Sequence, residues 1–185
     1  VIYIYYGNPS ITVSTQNVTG VWNENGNNNY KAVWHLKETS GNHQDSTINA
    51  HTSDSINVNQ QGSASGVADG ADNFSATNQY VRFPDSSDWD LTGNFTLEGW
   101  VKGANGSTWQ TVLARNNSNN NDWEYALLAA TSGGRPGCYF DGPTLTSSSD
   151  VKTDDWTHVA CVFNGSNDTI YLDVVSGGRR EFSQD

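Results

Sequence analysis

Trp109 and Trp123 flank two polar loops, 103–107 and 116–122, and Arg115, Asn117, Asn121 and Arg135 lie nearby in the chain. An aromatic ring with a few amide and guanidinium donors is the equipment of a glycan-binding site. Most tryptophans in a sandwich of this size anchor a core or a loop, so a packing role stands beside the binding role for both. Acid–base chemistry is less well supplied. Glu98, in TLEGWVK, has no acidic residue two or five positions further on. Glu124, in DWEYALL, is alone on its strand, with Asp122 two residues before it in a loop. Glycoside hydrolysis needs a pair of carboxyl groups, and neither residue has a partner in the sequence. There is no G-x-S-x-G, H-E-x-x-H or phosphate-binding loop, and His35, His43, His51 and His158 show no metal-ligand spacing. The expectation is a protein that is not an enzyme. Cys138 and Cys161 both fall in predicted strands, where they read either as a cross-strand disulfide or as two small buried hydrophobes.

These residues must be positioned by β-structure. FTLEGWVK, from Phe95 to Lys102, alternates with a period of two: Phe95, Leu97 and Val101 face one way, Thr96, Glu98, Trp100 and Lys102 the other. In DWTHVACVFNGSNDTIYLD, Val159, Cys161 and Phe163 share a face, residues 164–168 reverse the chain, and Ile170, Leu172 and Val174 return beside them. Half-buried antiparallel strands joined by polar turns indicate a sandwich or barrel rather than an α/β enzyme. Strands are predicted near 31–37, 57–60, 66–74, 79–84, 94–102, 108–115, 123–130, 136–141, 156–163 and 168–175, with one short turn near 86–91.

The same words carry a resemblance. AVWHLKETSG and DSTINAH near residues 32–51, DGADNFSATNQYVRFPDSSDWDLTGNFTLEGWV at 69–101, and W-x-HVA followed by IYLD occur here in order. Together they resemble the laminin G-like, concanavalin A-like lectin/glucanase domains of prokaryotic secreted and surface proteins. The resemblance covers about residues 31–176 and implies an all-β, antiparallel jelly-roll β-sandwich. It also implies packing roles for Trp34, Trp89, Trp100, Trp156 and His158. Related glycosidases carry E-x-D-x-x-E on one strand; Glu98 is the corresponding position and lacks the other two carboxylates. The family's frequent calcium loop would fall at Asp45, Ser46 and Asn49, with Asp54, Asp69, Asp72 and Asp173 as further oxygen sources. The alternative for Asp45, Ser46 and Asn49 is turn capping through side-chain to backbone bonds.

At 185 residues the chain suits one sandwich domain. Nine basic against twenty acidic residues give a net charge of -11, which disfavours nucleic acid and anionic membrane surfaces as partners. No segment has the length and purity of a membrane-spanning helix, so no membrane insertion is expected. There is no Met and no basic leader, so a signal peptide is expected to be absent or already removed. Seven Asn-x-Ser/Thr sequons, at Asn17, Asn73, Asn94, Asn105, Asn116, Asn164 and Asn167, are candidates for glycosylation. These features point to an extracellular or cell-surface location.

The expected organisation is a leading strand at 1–13, a polar linker at 14–30, and the sandwich at 31–185. The leading strand, VIYIYYGNPSITV, resembles the end of a small β domain that precedes such jelly rolls. After IYLDVVSGG the chain runs only GRREFSQD, so the family's closing strands look missing. The chain could be a fragment, or Val1–Tyr6 from this or a neighbouring copy could fill the gap by strand complementation. Two functions follow as expectations. The first is a non-catalytic recognition or adhesion module for a glycan or a surface protein. The second is a structural subunit of a surface fibre or layer that pairs with copies of itself.

Overall fold

The alternating stretches become strands where alternation predicted them. The computed structural model describes residues 9, 10, 12, 20–22, 29–104, 108–116, 123–140, 142–174 and 178–183, with backbone alone at 63, 64, 173, 174 and 178–183. The chain divides into two compact units, one up to Asp85 and one from Ser86. The leading segment 1–13 and the linker 14–30 lie almost wholly outside the described residues.

The first unit holds two short antiparallel ladders. Strand β1 (Ser55–Asn57) pairs with β4 (Tyr80–Arg82), and β2 (Gln60–Ser65) pairs with β3 (Gly70–Asn73). The predicted strand at 31–37 does not form; its one ladder contact is an isolated bridge between Trp34 and Asp45. Leu36 takes φ 52°, a left-handed conformation that no strand can pass through, and Val33 gives its N–H to the Asp45 carboxylate instead of to a neighbouring strand. Segment 36–38 lies directly on the β2–β3 hairpin. A Cβ at Gly62 would sit 2.4 Å from the Glu38 carbonyl oxygen, and one at Gly70 would sit 2.5 Å from that of Leu36. Only glycine allows so close an approach, and Gly62 at φ 59° also needs its left-handed freedom.

The second unit is the sandwich. Ser86 caps a 3-10 turn, Ser87–Trp89, by accepting from the Asp88 N–H. The strands are β5 (Asn94–Val101), β6 (Gln110–Asn116), β7 (Trp123–Ala130), β8 (Gly137–Phe140), β9 (Leu145–Thr146), β10 (Thr157–Asn164), β11 (Asp168–Val174) and β12 (Gly178–Ser183). They form two four-stranded antiparallel sheets, ordered β12-β11-β10-β5 and β6-β7-β8-β9. Leu97 from β5, Tyr125, Leu127 and Ala129 from β7, Cys138 from β8, Val159 and Cys161 from β10, and Ile170 and Leu172 from β11 meet in one core. Each fully buried Leu or Ile contributes about 1.5–3 kcal/mol. Strands β9 and β12 are additions to the sequence reading, and the strand predicted at 57–60 gives way to two, with β1 ending at Asn57 and β2 beginning at Gln60. GRREFS has no apolar alternation, and it pairs along the edge of β11 all the same.

Strand β7 departs from alternation because every residue from Tyr125 to Ala130 is buried. Tyr125, Leu127 and Ala129 belong to the inter-sheet core, while Ala126, Leu128 and Ala130 are buried outside it, so the strand is covered on both faces. The β10–β11 turn forms at the predicted residues. The Asn164 side-chain oxygen accepts from the N–H groups of Ser166 and Asn167 (3.1 and 2.9 Å), and Gly165 takes φ 87°. Among the described residues no helix is long and apolar enough to cross a membrane.

Candidate functional site

The sheet containing β6, β7 and β8 carries the aromatic cluster. Trp109 stands immediately before β6, Trp123 begins β7, and their ring centroids lie 5.7 Å apart with planes at 62°. Tyr139 of β8 adds a third ring, 5.9 Å from Trp123 at 73°. Tyr139 is the register partner of Ala126, three residues after Trp123 on β7. Trp109 remains 49% exposed. The structure thus brings Trp109 and Trp123 together and adds Tyr139, which sequence reasoning missed. Its signal was available only as a strand register.

Arg115, which precedes the last residue of β6, is engaged by carboxylates. Its Nη1 bonds the Asp90 carboxylate, and its Nε lies 3.2 Å from Glu124 Oε2. Burial works against its charge, but Asp90 and Glu124 more than offset this and hold the guanidinium above its ordinary value. Arg135 lies 3.4 Å from Asp150. Asn117 and Asn121 lie outside the described residues.

A second aromatic patch sits on the outward face of β5 and β10. Trp100 and His158 are register partners, with ring centroids 5.1 Å apart, and Trp100 is 39% exposed. Glu98, the position related glycosidases would use, faces Ala160 across the ladder and has its Oε2 3.5 Å from His158 Nε2. Among the described side chains, the ion-pair partner of Glu98 is the His158 imidazole.

In the first unit, Asp45 is spent on its own loop. Oδ1 accepts from Val33 and Thr47 N–H (both 2.9 Å), and Oδ2 accepts from the Thr47 hydroxyl (2.7 Å) and His51 N–H (3.0 Å). Asn49 donates through Nδ2 to the carbonyls of Tyr30 and Lys31, and Ser46 gives its N–H to Val33. The Asp45 bonds to the N–H groups of Thr47 and His51 are of the side-chain to backbone kind that caps a turn, and the Ser46 bond is a main-chain one. Asp173, on β11, has only its backbone described. Among the described residues no group of three or more His, Cys, Asp and Glu side chains is arranged to hold a metal ion.

A buried charge cluster in the same unit was invisible to sequence reasoning. His43 is 0% exposed, with Nδ1 2.9 Å from Glu38 Oε2 and Nε2 2.8 Å from Asp72 Oδ2. Carboxylates only accept, so both ring nitrogens donate only in the imidazolium; a neutral ring meets both groups only where one carboxyl is protonated and donates to the ring. Asp72 Oδ1 also accepts from Gly62 N–H at 2.8 Å. Burial pushes the Glu38 carboxyl up, but hydrogen bonds from His43 and from backbone N–H groups, with the His43 charge, hold it below its ordinary value.

Cys138 and Cys161 are joined as a disulfide with Cα atoms 5.9 Å apart, linking β8 to β10 and hence one sheet to the other. Asp168 begins β11 opposite Phe163, which packs on Phe95 and Phe140. Its Oδ1 has no hydrogen-bond partner, and burial pushes the carboxyl up. Asn73, Asn94, Asn116, Asn164 and Asn167 are exposed, while Asn17 and Asn105 lie outside the described residues.

A family model described as the concanavalin A-like lectin/glucanases superfamily matches residues 75–185. No curated protein and no solved structure matches the chain.

Proposed function

The chain belongs to the concanavalin A-like lectin/glucanases superfamily, and from that premise we propose that it is a non-catalytic recognition or adhesion module that binds carbohydrate at Trp109, Trp123 and Tyr139. The observation that carries this reading is the half-exposed Trp109 ring held against Trp123, itself in contact with Tyr139. A core tryptophan would be covered. A solvent-facing one, braced by further aromatic rings on a sheet, offers a rigid apolar face at little conformational cost. The non-catalytic part is supported by Glu98, whose ion-pair partner among the described side chains is His158, where glycosidic cleavage needs a second carboxyl. An extracellular or surface location is supported by the paired cysteines, which persist in oxidising compartments.

The test is a glycan array probed with the wild-type chain and with Trp109→Ala. Binding to a defined set of glycans that the substitution removes, with thermal melting unchanged, is the expected result. An array that stays blank for the wild type, or a signal that survives in the variant, refutes the site.

A further inference from the structure

We infer that the ligand of the Trp109–Trp123–Tyr139 site is a neutral, single-chain glycan, not an acidic or sulfated one and not a flat crystalline polymer. This rests on the carbohydrate reading above and adds the chemical class.

Charge is the first argument. An acidic glycan needs guanidinium or ammonium groups free to pair with its carboxylates or sulfates. The two guanidiniums nearest in sequence to the aromatic cluster are already taken: Arg115 by Asp90 and Glu124, and Arg135 by Asp150. Lys152 of the same unit lies 3.5 Å from Asp155, which leaves Lys102, exposed and without an ion pair among the described residues, as the one described cation of this unit not taken. The chain as a whole carries -11, which repels anions at long range.

Ring geometry is the second argument. A flat crystalline surface calls for coplanar rings in a row. Here the Trp109 and Trp123 planes differ by 62° and the Trp123 and Tyr139 planes by 73°, so neighbouring rings are not coplanar. Rings set edge to face suit one or two sugar rings of a single chain, with C–H faces laid on the exposed indole of Trp109.

Affinity gel electrophoresis of the full chain separates the possibilities, with a neutral β-glucan, a mannan and a galactan in one set of gels. Alginate, polygalacturonate and heparin fill the second set, and a pull-down on microcrystalline cellulose stands beside them. The expected result is retardation by at least one neutral soluble chain, unchanged between low salt and 0.5 M salt and weakened about tenfold or more by Trp109→Ala. Trp109→Phe, which keeps a smaller aromatic face, should retain part of the binding. Glu124→Gln, which releases part of Arg115, should gain weak retardation by heparin at low salt. Salt-sensitive retardation by the acidic polymers alone, still dependent on Trp109, overturns the neutral class while leaving the carbohydrate site standing. Trp109-dependent capture by crystalline cellulose alone overturns the single-chain half of the inference. Retardation by none of them overturns the inference and the site together.

Discussion

Reduction of the Cys138–Cys161 disulfide should cost the sandwich about 3.4 kcal/mol. The bridge spans a sequence separation of 23 residues and joins strands of opposite sheets. In the chain-entropy account, closing a loop of this length removes about 2.1 + 1.5R ln 23 cal/mol/K from the unfolded ensemble, which is about 3.4 kcal/mol at 25 °C. Both cysteines are buried, so the native packing around the sulfurs changes little on reduction and the effect falls mainly on the unfolded chain. For a unit of this size that is a fall in melting temperature on the order of 15 °C. Urea unfolding of the same protein, oxidised and then reduced after a denaturing step with phosphine, followed by tryptophan fluorescence, measures the difference without any mutation. Peptide mapping under non-reducing conditions checks that Cys138 and Cys161 are the linked pair. Free energies equal within about 1 kcal/mol would refute the reasoning, as would a map that shows both thiols free.

His43→Ala should destabilise the first unit by about 3–5 kcal/mol, because it strands Asp72 as a buried charge. Hydrogen exchange should then show the largest loss of protection within segment 36–73. Asp168→Asn should raise stability at neutral pH and flatten its pH dependence. The folded carboxyl sits above its ordinary value, so the folded state holds the proton longer than the unfolded chain does. Stability is therefore full at low pH and lost as pH rises through the folded value, and urea midpoints between pH 4 and 8 read that slope. Gly70→Ala should cost several kcal/mol, since its Cβ would meet backbone at 2.5 Å and neither chain can yield. Thermal melting would show it directly.

What the sequence discloses follows the physics of each element. Strands β5, β10 and β11 were legible because each buries one face, so that period-two alternation is written into Phe95, Leu97 and Val101 and into Val159, Cys161 and Phe163. Segment 31–37 misled because apolar residues alone do not report that Leu36 turns left-handed, nor that the Val33 N–H is claimed by a side chain twelve residues away. The Glu38–His43–Asp72 cluster was hidden for a related reason. Its members span 34 positions and meet only because Gly62 and Gly70 let segment 36–38 touch the hairpin. The two tryptophans of the candidate site could be named from their loops, whereas Tyr139 could not, since it needs the β7–β8 register. The cysteines left two roles open until β8 and β10 were known to belong to different sheets.

The pairing of β5 with β10 sets a timetable for the molecule's birth. Val101 aligns with Thr157 and Asn94 with Asn164, partners separated by 56 to 70 residues of chain. At about 5–20 residues per second, a ribosome that has finished β5 takes roughly 3 to 13 s to supply the strand that covers it. During that interval the apolar face of Phe95, Leu97 and Val101 and both edges of the strand are open to other chains. The β10–β11 hairpin, closed by a turn of a few residues, forms as soon as it emerges and so presents β5 with a finished template. Stalling translation between residues 102 and 156 would therefore leave this protein in its most adhesive state, before it has any native sandwich at all.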